Sequence, residues 1–440
     1  MHRRAIGAVA LMVPAALAMS ACSSGSTGGS SSSSTSSTSS ASATTPAATS
    51  TTTGAPVRDT TADLVIWADN DRAAVLQKYA DAFGKENSVK VVVQVSTDVR
   101  KDFSAATQTG NGPDVIVGAH DWLGEFVQNG AVEPINLGAD LTAKLLPSAV
   151  AATRFNGQTY GVPYAIENIG LIRNTALAPT APTTLDQLLA EATAAKAKSG
   201  GKVTNSLLLQ VGKTGNAYFT YPWLKACGGG IFGQKANGDY DPKQVLINSA
   251  GSIKGATILQ QLGQSKVLST NVDGTNADSL FAAGKAPFYI SGPWSIDAAK
   301  KAGIKYAISP LPSLPGCGKM QPFLGIQMFY VSAKAKNKAL AEEFVTNYMT
   351  RDDVQTAFFT ALNRPPALKT AYDKVAATNP DVKAWYEAGV GALPMPNIPA
   401  MNSVWGPLGQ AGADVISGKS TPKAAFDAAQ KDIVAAIAKG

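Results

Sequence analysis

Cysteine and histidine are scarce in this chain of 440 residues, which holds three cysteines and two histidines. Zinc and iron–sulfur sites need several such ligands, so the sequence argues against them, and no metal or cofactor is expected. The net charge is +7, yet no run of five or more basic residues occurs, which disfavours nucleic-acid binding. Hydrophobic residue types make up 45% of the chain, which allows a large core, and the length favours two domains.

The amino terminus has the pattern of a secretory signal peptide. A short basic start is followed by an uncharged, mostly apolar stretch at residues 5–18, and small residues precede Cys22. The apolar stretch is too short to span a membrane comfortably. The segment resembles the lipobox of bacterial lipoproteins, which implies removal of residues 1–21 and acylation of the Cys22 thiol. Ordinary secretion with a chance cysteine is the alternative.

Residues 22–57 have no charged or aromatic side chain and consist mostly of Ser, Thr, Ala and Gly. Such a composition cannot bury a core, so the sequence predicts a disordered tether. As a flexible coil it would reach roughly 30 Å, enough to hold a folded body clear of a membrane surface.

Beyond the tether, short apolar runs alternate with longer amphipathic ones. The pattern predicts strands at 64–67, 89–95 and 114–117, with helices at 73–83 and 99–108 between them. This alternation of strands and helices favours a mainly parallel sheet with helices on both faces, and ligands bind such sheets at the carboxyl ends of the strands. A second series predicts helices at 184–198, 250–263 and 276–284 and strands at 206–211 and 286–291, followed by a largely helical last third with helices such as 337–349 and 423–438.

Six segments in order resemble the maltose/maltodextrin-binding proteins of ABC importers. They are Leu64-Val-Ile-Trp-Ala-Asp-Asn-Asp-Arg72, Gly110-Asn-Gly-Pro-Asp through Ala-His-Asp121, Phe155-Asn-Gly157 through Tyr164-Ala-Ile-Glu167, Tyr218-Phe-Thr-Tyr-Pro222, Ile290-Ser-Gly-Pro-Trp294, and Met395-Pro-Asn-Ile-Pro399 followed by Trp405. The similarity covers residues 62–435.

The resemblance implies an α/β, two-lobed periplasmic-binding-protein-like fold, with a mainly parallel sheet flanked by helices in each lobe and a ligand cleft between the lobes. By position, the first lobe would comprise 58–165 plus 329–374 and the second 170–324 plus 380–440. The hinge would lie near 166–169, 325–328 and 375–379.

Sugars present hydroxyl groups and apolar ring faces, so a sugar site combines charged or amide groups with flat aromatic rings. The resemblance assigns Asp71, Arg72 and Asp121 in the first lobe, and Glu167 beside the hinge, to the sugar hydroxyls. Asp71 and Arg72 follow a strand, and helix capping is the alternative role for such a pair. Glu167 would otherwise be a solvated loop charge.

The aromatic platforms differ from the family pattern in the first lobe. Gly118 stands where the family has its first stacking aromatic, and Trp122 stands where an Arg is usual. Trp122 would then restore part of the platform, or else merely pack at a helix start. Arg100 and Lys101 also replace two acidic contacts to longer sugars. These departures leave the sugar identity open.

In the second lobe the resemblance assigns Tyr218, Trp294 and Trp405 as stacking aromatics, although each is also a plausible core residue. Neighbouring prolines predict irregular backbone at both tryptophans, which favours the ligand role. The family's Glu in this lobe is replaced, since Asn216 occupies its place.

The remaining polar features have simpler interpretations. Cys227 and Cys317 are left after lipidation of Cys22, and outside the membrane such a pair favours a disulfide over two free thiols. His120 is expected to be a structural hydrogen-bonding residue near the cleft. Residues 271–278 are rich in oxygen ligands but lack EF-hand spacing, so a solvated turn before a helix is expected.

The sequence therefore predicts a monomeric, lipid-anchored receptor on the extracellular face of the membrane, which captures a maltodextrin-type sugar and delivers it to the permease subunits of an ABC importer. No catalytic residue is assigned. Three alternatives remain open. The first is an extracellular glycoside-acting enzyme using Asp121 and Glu167 as its carboxylate pair, and the second is a receptor for another sugar such as trehalose. The third is a non-transport adhesion or scaffolding protein, which would show no saturable sugar binding.

Overall fold

A computed structural model of the chain describes residues 55–235 and 240–439. The predicted signal peptide, the lipidation site Cys22 and all but the last three residues of the tether lie outside the described residues. Within the two described ranges, no helix combines the length and apolar character needed to cross a membrane.

The strands, in chain order, are β1 Leu64–Ala68, β2 Val91–Val95, β3 Val115–Ala119, β4 Arg154–Phe155, β5 Gln158–Thr159, β6 Gly161–Glu167, β7 Gly170–Asn174, β8 Leu207–Leu209, β9 Phe232–Gln234, β10 Tyr240–Val245, β11 Phe288–Ser291, β12 Tyr306–Ser309, β13 Phe323–Val331 and β14 Leu393–Pro394. The helices are α1 Asn70–Asn87, α2 Val99–Gln108, α3 Leu123–Gln128, α4 Gly138–Lys144, α5 Pro147–Ala152, α6 Leu185–Lys198, α7 Ala217–Ala226, α8 Ala250–Gln264, α9 Ala277–Ala282, α10 Ile296–Lys301, α11 Lys338–Glu343, α12 Asp352–Leu362, α13 Lys369–Thr378, α14 Pro380–Ala388, α15 Trp405–Ile416 and α16 Pro422–Ile437.

Two larger sheets organise the fold. The first has the order β14-β13-β3-β1-β2, with β6 also paired to β13, and the second has the order β12-β7-β11-β8. The chain passes from the first sheet to the second between β6 and β7 and returns through β13. Two further pairs, β4 with β5 and β9 with β10, form small hairpins.

The expectation of mainly parallel sheets needs one refinement. In the first sheet β1, β2 and β3 are mutually parallel, and β6 shares their direction because both β3 and β6 run antiparallel to β13. In the second sheet β8, β11 and β12 share one direction, and β7 opposes them. The chain enters the second sheet through β7 and returns to the first sheet through β13, and these are the reversed strands. They sit inside the sheets, so several hydrogen-bonded pairs are antiparallel.

Burial explains why the apolar runs form strands. All five residues of β1 are buried, and its side chains alternate between two clusters on opposite faces of the first sheet. Leu64 and Ile66 pack on one face, whereas Val65 and Trp67 pack on the other. A strand buried on both faces reads as a continuous apolar run, as the sequence predicted.

Candidate binding site

A cavity of about 500 Å³ lies where residues at the ends of strands from both larger sheets come together. It brings together seven of the eight predicted ligand-binding residues, namely Asp71, Asp121, Trp122, Glu167, Tyr218, Trp294 and Trp405. Arg72 does not line it. The sequence reasoning missed Arg364 as a lining residue and did not assign Arg100 to the ligand, although Arg100 also lines the cavity.

The tryptophans separate cleanly into two groups. Of the six in the chain, Trp67, Trp223 and Trp385 are at most 1% exposed. Trp122, Trp294 and Trp405 are half-buried and line the cavity. A half-buried ring with one face on a cavity is a platform for a flat apolar surface, whereas a core ring has no face to offer.

A glycine lies beneath the Trp122 ring. A Cβ on Gly118 would lie 1.9 Å from a ring atom of Trp122, so the ring occupies the space directly above that strand position. The indole therefore covers the place where a side chain at 118 would begin, as expected if Trp122 restores the lost platform. The other role considered for Trp122, packing at a helix start, also has a contact, because its ring meets Phe126 edge to face at 6.1 Å.

The second sheet has the same arrangement of a glycine beneath a tryptophan ring. A Cβ on Gly292 would lie 2.2 Å from the Trp294 ring. In both sheets a glycine lies at or next to the end of a strand, since Gly118 is the penultimate residue of β3 and Gly292 directly follows β11. A 3-10 helix, His120–Trp122 or Pro293–Ser295, then places the tryptophan ring over that glycine. Trp294 lies in the 3-10 helix Pro293–Ser295 and not in an α-helix or strand, so the prediction of irregular backbone holds for it. It is wrong for Trp405, which is the first residue of α15.

Aromatic side chains from α7, α15 and the start of β13 pack against one another at the cavity. Phe323 stacks on Tyr221 with ring centroids 3.6 Å apart and meets the Trp405 ring edge to face at 6.2 Å. The Tyr218 ring lies 6.1 Å from Phe323 and 6.3 Å from Trp294. Because Phe323 is itself buried at the start of β13, the platforms rest on a rigid base.

The Tyr218 hydroxyl is buried and has no hydrogen-bond partner within the described part of the chain. Burial raises the pKa of Tyr218 well above its usual value, and the carboxylates of Glu167 and Asp121 add to the shift. The phenol is therefore neutral and able to donate. A buried unpaired hydroxyl costs about 1–3 kcal/mol, which a polar ligand group would recover.

The carboxylates of the cavity have different partners. Asp71 is exposed in the first turn of α1 and has no polar partner among the described residues, while the helix cap is supplied by Asp69. Asp121 is 5% exposed and lies 3.9 Å from a guanidinium nitrogen of Arg100. Burial raises the pKa of Asp121, although Arg100, His120 and a hydrogen bond with Trp405 oppose the shift.

Glu167 is fixed by two long-range contacts. Gln327 donates to one of its carboxylate oxygens at 2.7 Å, and Arg364 forms an ion pair with the other. The Arg364 guanidinium also lies 5.4 Å from the centre of the Trp294 ring. Arg364 stands in the sequence as an isolated cation before two prolines, so no local signal marked it as a site residue.

Arg72 does not line the cavity, and each nitrogen of its guanidinium binds a partner elsewhere. It donates to the Tyr164 hydroxyl and to the Gln327 side chain, both at 2.7 Å, and it pairs with Asp69. Arg72 therefore orders the residues beneath the cavity, since Gln327 in turn holds Glu167.

His120 behaves as the structural hydrogen-bonding residue that was predicted. Its Nδ1 accepts from the Ile326 backbone N–H at 3.1 Å, so its Nε2 donates to the Met395 carbonyl at 3.2 Å. Burial lowers its pKa, which keeps the ring neutral. The imidazole thereby connects the 3-10 helix that carries Asp121 to β13 and to the segment before Trp405.

Away from the cavity, Cys227 and Cys317 are joined by a disulfide, with Cα atoms 4.6 Å apart. Residues 273–276 form a hydrogen-bonded turn that leads into α9, as expected for residues 271–278.

The chain belongs to the family of bacterial extracellular solute-binding proteins, whose model matches residues 78–388. It is 30% identical over 380 residues to a galactooligosaccharide-binding protein of Bacillus subtilis, covering 84% of this chain and 88% of that protein. It is 30% identical over 357 residues to a maltodextrin-binding protein of the same organism, covering 79% and 83% of the two chains. A maltotriose-binding protein of Pyrococcus abyssi is 29% identical over 324 residues, with coverage of 72% and 69%.

Proposed function

We propose that this protein is an extracellular receptor that binds an oligosaccharide of glucose or galactose units and delivers it to the permease of an ABC importer. The observation that carries the proposal is the composition of the cavity, which is lined by three half-buried tryptophans and Tyr218 together with the carboxylates of Asp71, Asp121 and Glu167. Rings stack on the apolar faces of sugars, and charged groups bind their hydroxyls. The names of the relatives support the same ligand class.

The proposal divides the body into two lobes, 58–165 plus 329–374 and 170–324 plus 380–440, with the sugar between them. The two larger sheets support the division, since their strands lie on either side of the crossings at β6–β7 and β13. The hinge would include Gly325, which pairs with Glu167 where β13 meets the end of β6.

Titration calorimetry of the purified protein with maltose, maltotriose, galactobiose and trehalose tests the ligand class. We expect saturable binding to a glucose or galactose oligosaccharide in the micromolar range, about −8 kcal/mol, and weaker binding to trehalose. Absence of binding to every sugar would refute the proposal. Chromatographic detection of cleaved maltotriose after long incubation would instead favour the glycoside-acting alternative.

We also propose that Cys22 carries the lipid that holds the receptor at the outer face of the membrane. A relative of Streptococcus pneumoniae that is 27% identical over 376 residues is named a solute-binding lipoprotein, which supports this arrangement. Cys22→Ser should abolish palmitate labelling and either release the protein into the medium or leave it uncleaved. Continued labelling of the Cys22→Ser protein would contradict the anchor.

A further inference from the structure

The turn that carries Trp294 into the cavity is short. In the 3-10 helix Pro293–Ser295 the Ser295 N–H donates to the Gly292 carbonyl at 3.1 Å, and the next N–H along the chain donates to the Pro293 carbonyl. Short 3-10 turns have poor hydrogen-bond geometry, so these two backbone bonds fix the turn only weakly. The direction in which the Trp294 ring points therefore depends on the side-chain contacts that hold the turn.

A chain of hydrogen bonds leads from this turn through the interior to α9. The Ser291 and Ser295 hydroxyls lie 2.7 Å apart, and the Ser295 hydroxyl lies 3.3 Å from the hydroxyl of Tyr289. The Tyr289 hydroxyl donates to Asp278 at 2.8 Å, and its oxygen accepts from the Gln210 side-chain amide. Because the phenol proton goes to the carboxylate, Ser295 donates to Tyr289 and Ser291 donates to Ser295.

Burial keeps this chain of hydrogen bonds in one arrangement. Tyr289 and Ser291 are fully buried, and Ser295 is 2% exposed. Burial raises the pKa of Tyr289 above its usual value and the charge of Asp278 adds to the shift, so the phenol keeps its proton. Hydrogen bonds away from water strengthen one another, and breaking one leaves buried groups unpaired. The chain of bonds is therefore a rigid anchor for Ser295.

The first sheet anchors its own 3-10 helix in a similar way. His120, the first residue of the helix His120–Trp122, is buried and bonded to the Ile326 N–H and the Met395 carbonyl. In each sheet one residue of the turn is held by side-chain bonds in the interior, while the tryptophan lines the cavity. With three residues per turn, adjacent side chains point a third of a turn apart, so anchoring one side chain sets the direction of the others.

We infer that Ser295, held by Tyr289 and Asp278, is a positioning residue that keeps the Trp294 ring facing the bound sugar. This inference rests on the proposed function, and it adds that sugar affinity depends on a network that does not touch the sugar. Of these four described residues only Trp294 lines the cavity. Loss of the network should therefore act on affinity through Trp294.

A double-mutant cycle tests this dependence by calorimetric titration of the full protein with maltotriose and galactobiose. Ser295→Ala should weaken binding roughly 2- to 10-fold, the range for one lost hydrogen bond, and Trp294→Ala should weaken it at least as much. In the Trp294→Ala background, Ser295→Ala should change affinity by less than about twofold, because the ring that it positions is gone.

Ser252→Ala is the matched control for loss of a buried hydroxyl. Ser252 is fully buried on α8, where its hydroxyl accepts from Ser249 and donates to the Leu246 carbonyl at 3.1 Å. We expect Ser252→Ala and Ser295→Ala to lower the melting temperature to a similar extent. Only Ser295→Ala should weaken sugar binding.

Asp278 provides a second readout at the far end of the network. Asp278→Ala leaves the Tyr289 hydroxyl without its acceptor and should weaken binding roughly 2- to 10-fold. Asp278→Asn keeps an acceptor oxygen there and should restore most of the affinity that Asp278→Ala loses. Because Asp278 is only half-buried, this pair tests the network even if Ser295→Ala does not fold.

The outcomes separate the inference from the proposed function. If neither sugar binds the wild type, the proposed function fails and the inference fails with it. If the wild type binds sugar but Ser295→Ala leaves affinity unchanged, or weakens it equally with and without the Trp294 ring, the inference alone is overturned. It is also overturned if Ser252→Ala weakens binding as much as Ser295→Ala, or if Asp278→Ala binds sugar as the wild type does.

Discussion

Trp405 combines the two features that separate a ligand platform from a core residue. It lines the main cavity and is half-buried, and the Phe323 ring meets its ring edge to face at 6.2 Å. Truncating a central aromatic of a binding site costs on the order of 2–4 kcal/mol, so Trp405→Ala should weaken sugar binding roughly 30- to 1000-fold. Calorimetric titration measures this loss.

A core tryptophan provides the control for Trp405. Trp223 is fully buried, and its removal should open a cavity and cost about 3–5 kcal/mol of folding free energy. We therefore expect Trp223→Ala to melt much lower and Trp405→Ala to melt nearly as the wild type. If Trp405→Ala instead melted far lower and bound the sugar normally, Trp405 would be a core residue.

Asp121 should make stability depend on pH in a specific direction. Its pKa is raised from the model-peptide value of 3.8 by burial, so the folded protein holds this proton more tightly than the unfolded chain does. The ionised carboxylate therefore costs stability, and this cost disappears as pH falls toward 3.8.

Asp121→Asn should consequently raise the melting temperature of the sugar-free protein at pH 7, by a margin that narrows as the pH is lowered. Arg100 is not left unpaired in this variant, because it also pairs with Glu125 at 2.7 Å. Thermal denaturation across the pH range measures the margin, with Asp71→Asn as the control for an exposed site carboxylate. A variant that melts lower than wild type at every pH would show that the partners of Asp121 outweigh its burial.

At the scale of single residues, the family resemblance identified seven residues that line the cavity, whereas the direction in which a side chain points could not be predicted. Arg72 directly follows Asp71, yet its partners Tyr164 and Gln327 lie 92 and 255 residues away. No local pattern reveals such partners. The same holds for Arg364, which reaches Glu167 across 197 residues.

Among the elements, the disulfide between the end of α7 and the turn at 317 closes a loop with a sequence separation of 90 residues. The loop contains β11 and Trp294, but the bond lies outside the cavity lining. A disulfide typically contributes about 2–4 kcal/mol of stability, mainly by constraining the unfolded chain. Replacing both cysteines by Ala should lower the free energy of unfolding by that amount and leave sugar affinity nearly unchanged.

Urea denaturation of the double variant, and of wild type with and without reductant, measures this contribution. Wild type in reductant should match the double variant in stability. Equal stability of oxidised wild type and double variant would show that the bond contributes nothing. A large loss of sugar affinity would show that it shapes the cavity.

Periodicity predicted those elements whose apolar pattern is long and uninterrupted. The helix expected at 99–108 is α2, and the one at 184–198 begins one residue later because Thr184 is its cap. α15 was missed because a proline-rich segment precedes it and Gly and Pro fall within its first turn. Sheet order was also beyond a local pattern, since the placement of β13 between β3 and β6 depends on pairing across more than 150 residues.

For the whole molecule, the proposed function calls for two lobes that close on a ligand, and the proposed division places one hydrogen-bonded contact between them outside the cavity. Asn363, at the end of α12, donates to Asp297 at 2.8 Å and accepts from Lys300 at 3.2 Å, and both of these partners lie on α10. By the proposed division α12 belongs to the first lobe and α10 to the second. A hydrogen bond between two lobes that move stabilises the relative position of the lobes in which its donor and acceptor meet.

Asn363→Gly removes this contact without straining the backbone, because Asn363 has a φ of +56°, a conformation that glycine adopts readily. The variant should populate a more open form. Its apparent affinity for the sugar should then fall by the same factor as the population of the closed form. Losing two hydrogen bonds, at about 0.5–1.5 kcal/mol each, corresponds to at most about a 5- to 150-fold weaker apparent affinity. Small-angle scattering should show a larger radius of gyration for the sugar-free variant and the wild-type value at saturating sugar.

Asn156→Gly is the matched control, since Asn156 also has a positive φ, of +49°, and lies exposed in the turn between β4 and β5 with no side-chain partner among the described residues. Both substitutions change the same side chain in the same backbone conformation, so any effect of added chain flexibility is common to them. Only Asn363→Gly deletes a contact between α10 and α12. If the two variants scatter alike and bind sugar alike, the Asn363 contact does not join bodies that move, and the proposed lobe boundary between 301 and 352 must be drawn elsewhere.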